Sequence, residues 1–337
     1  MTETTGRDDA AARSDPLAEI VRAGGRRPTP PPDDYDQVLA AATASWQKAV
    51  SARRRRQWIG ALAASAVLCA VGLAVFHFRP IAMETARTAA TTLVRGQLAV
   101  QAPGTFDWHP LQAGAAIDNG ARLRANGPGG ASLSLGAGGL LRLRESTEVA
   151  VSAGAHLQLF DGSAYVDSGS RPPGQPIVVE TGLGTVRDIG TVFEVRASAG
   201  ALRVRVREGQ VVVDAPGRDE SFESQAGQEL QIGSDGTTRR SDIATAGPEW
   251  AWAEALADAP VVDGKSLLGF LEWVSHESGR ALEFQYAGDR QQAAAVRLHG
   301  SVPNLRPLDA LDLMLAATDF DYTLSDAGAI VIRRRGQ

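Results

Sequence analysis

Cysteine is almost missing from this chain of 337 residues, which has only Cys69. The sequence after Cys69 can therefore form no disulfide within the chain and no zinc site built on thiolates. The five histidines show no metal-ligand spacing, and neither a Gly-x-Ser-x-Gly elbow nor a Ser-His-Asp grouping is found. The sequence thus predicts no catalytic residue, no metal site and no cofactor, and it favours a binding protein over an enzyme.

Aromatic residues are also few, at 6%, whereas there are 36 glycines. This composition is more typical of a β-rich protein with many turns than of a large α/β enzyme. Short alternating runs begin near residue 93, and Leu141-Arg142-Leu143-Arg144 places leucine on one face and arginine on the other. Glycine-rich punctuation such as Gly127-Pro128-Gly129-Gly130 separates these runs. The pattern predicts a mainly β domain over 93–246, built as an antiparallel sandwich, roll or solenoid.

Charge is absent from residues 58–78, which contain no Asp, Glu, Lys or Arg. As a helix this segment would be about 31 Å long, close to the thickness of the hydrocarbon core of a bilayer. A buried core helix is the alternative, but such a helix rarely lacks polar residues on every face. Four cationic residues precede the segment: Arg53, Arg54, Arg55 and Arg56. Since cationic flanks stay in the cytoplasm, we predict a single-pass inner-membrane protein with residues 1–57 inside and 79–337 in the periplasm.

Within the cytoplasmic tail, which we expect to be largely helical or disordered, residues 33–52 are predicted to form one amphipathic helix. The rest of the tail offers no partner for the apolar face, so it must meet the membrane surface or another protein. The polar face carries Asp36 and Gln37 rather than lysines, which favours a protein partner. The predicted partner-binding residues are Tyr35, Val38, Leu39, Ala42, Trp46 and Val50.

The net charge of the exterior part is negative. Residues 79–337 have 24 Lys or Arg against 31 Asp or Glu, a difference of −7, while residues 1–57 have ten against eight, a difference of +2. No basic stripe stands out along the exterior sequence, so we expect no direct contact with nucleic acid.

After a polar linker at 79–92 and the β domain, the pattern changes at about residue 247. Ser266 can cap a helix that ends near Gly279, and Pro307 can begin another. Each helix is followed by an aromatic-bearing strand, at Leu282–Tyr286 and at Phe320–Leu324, and a last strand covers Ile330–Arg333. The repeated unit predicts a small α+β module over 247–337.

One segment, Glu180 to Val195, carries a recognisable pattern: Glu-Thr-Gly-Leu-Gly-Thr-Val-Arg-Asp-Ile-Gly-Thr-Val-Phe-Glu-Val. We expect a hairpin or bend in which Gly182 and Gly190 adopt positive φ and three apolar side chains face a core. The segment resembles the signature of the FecR family, T-x-x-G-x-V-x-x-x-G-T-x-F-x-V, and the resemblance extends over residues 93–232. The motif positions are Gly182, Gly184, Val186, Gly190, Thr191, Phe193 and Val195.

This resemblance implies a membrane-bound regulator, or anti-sigma factor, of an extracytoplasmic-function sigma factor. The tail would contact the sigma factor, and the periplasmic part would meet the signalling domain of a TonB-dependent outer-membrane receptor, with a protease completing the relay. The C-terminal module resembles the short N-terminal domain of secretins and TonB-dependent receptors, and we expect it to dock the receptor through an exposed edge at Ile330–Arg333. The alternative is a membrane-tethered envelope-binding module that recognises glycan or a secretion component.

Overall fold

The structure, a computed structural model, describes residues 23–25 and 87–336 except 137, 170, 173, 219, 303 and 304. The predicted helix at 33–52, the four arginines at 53–56 and the predicted membrane span at 58–78 lie outside these residues. Among the residues that are described, no helix is long and apolar enough to cross a membrane. The expectation of a mainly β fold is confirmed.

Fifteen strands of the described chain form one sheet, antiparallel except where β7 meets β8. They are β1 (Arg87–Gln101), β2 (His109–Leu111), β3 (Ala116–Asp118), β4 (Ala121–Leu135), β5 (Leu140–Arg144), β6 (Thr147–Ser152), β7 (His156–Asp167), β8 (Val178–Thr181), β9 (Gly184–Asp188), β10 (Val192–Ala197), β11 (Ala201–Glu208), β12 (Gln210–Asp214), β13 (Phe222–Gln225), β14 (Gln228–Gly233) and β15 (Thr238–Asp242).

Three long strands, β1, β4 and β7, run through both halves of this sheet. The first part of β7 pairs with β6 and β8, whereas its last part pairs with β5 and β10. In the same way β4 pairs first with β6 and then with β5. Strands that change partners at a bend let one sheet fold over a single core. That core is aliphatic apart from Phe193, and its largest members include Leu123, Leu133, Leu141, Leu143, Leu157 and Leu159.

Glycines stand where the long strands bend. Gly129 has φ +117, and a Cβ there would lie 1.3 Å from the carbonyl oxygen of Arg95 in β1. Gly162 has φ +95, and a Cβ there would lie 2.5 Å from Thr147 in β6. Only glycine permits both this backbone conformation and this approach. The stretch Gly127–Gly130, which we expected to separate two strands, therefore lies inside β4, and that expectation was wrong.

The described residues of the C-terminal part form four α-helices and three strands. They are α1 (Ala251–Glu254), preceded by a 3₁₀ turn at Pro248–Trp250, α2 (Leu267–Ser278), β16 (Leu282–Phe284), α3 (Ala287–Ala295), α4 (Pro307–Ala316), β17 (Phe320–Leu324) and β18 (Ile330–Arg334). Ser266 accepts a hydrogen bond from the Gly269 amide, Gly279 ends α2 in the left-handed region, and Pro307 begins α4. These three predictions are confirmed.

The small sheet has the order β16–β18–β17. One of its faces is covered by α2 and α4, and the shared core includes Phe270, Leu271, Leu311, Leu315, Phe320, Ile330 and Ile332. Because β18 pairs with a strand on each side, Ile330–Arg333 is the centre of the sheet and not an exposed edge. The alternating pattern predicted a strand at the end of the chain, but it could not show which strands lie beside it. The prediction of an exposed edge was wrong.

Two further differences from the sequence-based expectations concern element boundaries. The linker was expected to extend to residue 92, but β1 already begins at Arg87. Thr88 and Ala89 are buried there because β3 and β4 flank the start of the strand. Helix α3 was not expected, since Ala287–Ala295 has no apolar stripe and buries only Asp289 and Ala293.

Candidate functional site

The family-like segment forms the β8–β9 hairpin and then β10. Thr181 and Gly184 close the hairpin, so Gly182 and Leu183 are its two-residue loop. Gly182 does not adopt positive φ, contrary to expectation, whereas Gly190 does, with φ +68. Three motif side chains, those of Val186, Phe193 and Val195, are fully buried. They contribute to the core and present nothing to a ligand.

Between β9 and β10 the chain passes from one half of the sheet to the other. The carboxylate of Asp188 accepts hydrogen bonds from the amides of Ile177 and Gly190, the latter at 3.1 Å. The amide of Thr191 donates to the Ser168 hydroxyl at 2.8 Å, and the Ser168 amide donates to the Thr191 carbonyl at 3.0 Å. Buried backbone groups need such partners. These contacts fix the crossing, so the motif is best explained as a structural device.

A second feature is the junction, which we define as the contact between the outer face of β5, β7, β10 and β11 and helices α1 and α2. At its centre lies Tyr165 in β7, with its ring 6.2 Å from that of Trp250 and 6.4 Å from that of Trp252. Both pairs are edge-to-face, an arrangement that aromatic rings favour. Burial raises the pKa of Tyr165 to about 12, so its hydroxyl stays protonated at neutral pH.

Two buried arginines flank Tyr165. Arg142 in β5, only 1% exposed, lies 2.8 Å from the Glu277 carboxylate on α2 and 5.2 Å from the Tyr165 ring centroid. Arg207 in β11 pairs with the Glu254 carboxylate at 2.7 Å and donates to the Glu277 carbonyl at 3.0 Å. Each guanidinium therefore joins the sheet to the C-terminal helices. Loss of the carboxylate partner of either one would destabilise the fold, because it would leave a buried charge unpaired.

At the rim of the junction His276 on α2 lies 2.7 Å from the Asp167 carboxylate at the end of β7. The hydrogen bond to Asp167 raises the pKa of His276, although partial burial opposes it. Burial acts to raise the pKa of Asp167, but the bonds from His276 and the Gly169 amide outweigh it and the pKa is lowered. Both pKa shifts therefore favour the charged forms, protonated His276 and deprotonated Asp167.

A polar cavity of about 500 Å³ lies beside the junction, and Arg207, Glu208, His276 and Arg280 are among the residues that line it. No group of three potential metal ligands occurs among the residues that the structure describes. Two of the lining residues pair across the contact and stabilise it, Arg207 with Glu254 and His276 with Asp167. The geometry supports a docking contact between two parts of the chain, and it contains no arrangement of nucleophile and base.

The sequence alone does not identify the junction residues. The alternating pattern predicts only that Arg142 lies on the outward face of its strand, and it predicts no contact for Trp250. The sequence does show outward arginines in strands and a Trp-Ala-Trp segment in a helix. These features do not indicate which strands and helices pack against each other. The predicted tail contacts Tyr35, Val38, Leu39, Ala42, Trp46 and Val50 lie outside the described residues.

Comparison with known proteins gives one family match. The family model described as FecR protein matches residues 121–212, a range that runs from the start of β4 into β12. No curated protein matches the chain.

Two solved structures, each described as "a putative anti-sigma factor from Parabacteroides distasonis ATCC 8503", are similar to it at 16% and 14% identity. The match to each structure covers 64% of this chain and 99% of the solved chain, with TM-scores of 0.35 and 0.34. Similarity at this level says nothing about the function of the present chain.

Proposed function

Because residues 121–212 match the FecR family model, this chain is a FecR-like protein, and we propose that it regulates an extracytoplasmic-function sigma factor without catalysing a reaction. The family match is the observation that carries the proposal. The division of the sequence into a short tail, an uncharged segment and a large β-rich part supports it. In this proposal an envelope signal reaches the exterior part and changes how the tail holds the sigma factor, and proteolysis of the chain is one route for that change.

The proposed topology places residues 58–78 in the inner membrane, with 1–57 in the cytoplasm and 79–337 in the periplasm. The four arginines before the uncharged segment support this orientation. A reporter enzyme that folds only in the periplasm should be active when it is fused after Gln337. An active reporter fused before Met1 instead would reverse the orientation.

On the cytoplasmic side we place the sigma-factor contact on the apolar face of residues 33–52, with Trp46 as its anchor. Large aromatic residues often dominate such interfaces, and their truncation costs about 2 kcal/mol or more. Co-purification of the full chain with each sigma factor of the same cell should recover one of them, and Trp46→Ala should weaken that complex roughly 30-fold. Gln37→Ala, on the polar face, is the matched control and should bind as the unmodified chain does. Recovery of no sigma factor would refute the proposal.

On the other side we place the docking of a receptor's signalling domain on the C-terminal module. The sheet there has two edges, β16 and β17, and we place the contact on β17. The Ser325 amide donates to the Ala329 carbonyl, and the Arg335 amide donates to the Asp319 carbonyl. Because the backbone groups of successive residues point to opposite sides of a strand, those of Tyr322 and Leu324 face away from β18. Such an edge can accept an added strand.

Two exposed leucines of this module give a matched test. Leu324 at the β17 edge and Leu313 on α4 are 47% and 49% exposed. Leu324→Lys in the full chain should reduce binding of the receptor's signalling domain, because it places a charge at the added strand, whereas Leu313→Lys should leave it unchanged. Equal effects of the two substitutions would remove β17 from the interface.

A further inference from the structure

A row of arginines crosses the outer face of the sheet next to the junction. Arg196 in β10 pairs with Ser163 in β7 on one side and with Arg203 in β11 on the other. The row continues from Arg203 to Gln231 in β14 and from there to Arg239 in β15. At its other end Arg144 in β5 lines one cavity with Arg196, and the acidic residues Glu145 and Asp161 line the same cavity. We name this set, Arg144, Arg196, Arg203 and Arg239, the arginine row.

The arginine row spans five strand-to-strand steps, from β5 to β15, which is about 24 Å at roughly 4.8 Å per step. All four side chains lie on the face opposite the aliphatic core, since the residues that alternate with them, such as Leu143, Val195 and Val204, are fully buried. The α1–α2 elements cover the adjacent part of the face around Tyr165. From α1 the Trp252 ring approaches the row, 5.9 Å from the guanidinium of Arg144.

Three members of the row are unusual in having no carboxylate partner. Arg144, Arg196 and Arg239 form no ion pair or hydrogen bond through their side chains with the described part of the chain, whereas most other arginines there do. Arg203 is partly compensated, with Glu194 at 3.4 Å and Glu229 at 3.9 Å. Arg196 is close enough to Arg203 to help lower its pKa, although burial is the largest cause. Positive charge is therefore concentrated in a line on an exterior part whose net charge is negative.

We propose that the arginine row is a binding surface for an extended acidic polysaccharide whose carboxylates pair with the guanidiniums. Charge complementarity requires a polyanion, because a single small anion contacts at most two of these arginines. Guanidinium groups suit carboxylates through paired, charge-assisted hydrogen bonds. Gln231, which lies between Arg203 and Arg239, adds a side-chain carbonyl that suits the hydroxyl groups of sugars.

The position of the row argues against an acidic peptide. The row runs across the strands, and in each of its strands except the edge strand β15 the backbone groups already pair with neighbours on both sides. A peptide strand could add its backbone only along β15, where it would meet Arg239 and not the rest of the row, and the row offers no apolar pocket for peptide side chains. The inference stands independently of the proposed sigma-factor contact.

Binding of polygalacturonate oligosaccharides to the full chain tests the proposal, with neutral dextran, polyglutamate and duplex DNA as comparison ligands. Polygalacturonate should bind, dextran should not, and the affinity should fall as salt is raised. The variant Arg196→Gln/Arg239→Gln should bind about tenfold or more weakly, because two charge-assisted contacts are lost. Since both side chains are exposed and lack described partners, its melting temperature should be unchanged.

The matched control is Arg240→Gln/Arg297→Gln. Arg240 is the neighbour of Arg239 in β15 but lies on the other face, opposite Leu230, and Arg297 is in the C-terminal module. This double variant removes the same charge and should bind as the unmodified chain does. Equal losses for the two variants, absence of polygalacturonate binding, or binding of polyglutamate or DNA as tight as that of polygalacturonate would each overturn the proposal.

Discussion

Arg142 shows how much one residue depends on its partner in this protein. Its side chain is buried, and both Nε and one of its terminal nitrogens lack a hydrogen-bond partner, so Glu277 supplies the main compensation. Removing one partner of a buried ion pair typically costs about 3–5 kcal/mol, since the other charge stays buried. We therefore expect Glu277→Ala to lower the free energy of unfolding by about that amount in urea titrations.

Two comparisons make this prediction specific to the buried charge. Replacing both partners, as in Arg142→Met/Glu277→Met, should cost less than Glu277→Ala, because no charge is then left unpaired. Glu272→Ala on the same helix breaks the Arg290 pair, whose side chains are 57% and 52% exposed, and should change stability by less than about 1 kcal/mol. If Glu272→Ala and Glu277→Ala cost the same, the buried pair has no special role.

At the scale of elements, the bend where β1 and β4 lie against each other depends on Gly129. A Cβ there would meet the Arg95 carbonyl oxygen at 1.3 Å, so Gly129→Ala must push the two strands apart. We expect a loss of several kcal/mol, at the large end of single substitutions. Gly154→Ala is the control, since Gly154 has φ +76 with no atom within 4 Å and should cost only the conformational penalty of about 1–2 kcal/mol. Thermal unfolding of both variants measures the difference, and equal melting temperatures would contradict the steric explanation.

The elements differ in how much their sequences disclose. Alternation predicted strands such as β5, because Leu141 and Leu143 leave the arginines on the other face. Alternation did not predict that β4 continues through Gly127–Gly130, because glycine and proline usually indicate a turn. Here the glycines instead allow a neighbouring strand to approach closely. Nor could it reveal the arginine row, whose members are up to 95 positions apart between Arg144 and Arg239 and meet only through the pairing register. Local pattern fixes a residue's face, whereas the neighbours on that face depend on topology.

At the scale of the whole molecule, the His276–Asp167 pair makes the contact between the sheet and the C-terminal helices depend on pH. The pKa of His276 is raised above 6.5, so its contribution is complete below that value and is lost as pH rises through the raised pKa. The pKa of Asp167 is lowered below 3.8, so its contribution is complete above that value and is lost as pH falls through the lowered pKa. The pair should therefore stabilise the junction most between about pH 4 and 6.5.

This window predicts a specific pH profile for the His276→Gln variant. The difference in melting temperature between the unmodified chain and His276→Gln should be largest within the window. It should shrink as pH rises through the raised pKa of His276, because neutral imidazole no longer forms an ion pair with Asp167. His299→Gln is the matched control, because His299 lies 3.3 Å from Asp263 within the C-terminal module and its side chain is 78% exposed. Its profile should follow that of the unmodified chain, since a well-exposed pair contributes little. A His276→Gln difference that stays constant from pH 5 up to the pH at which His276 has lost its proton would mean that the ion pair does not hold the two parts together.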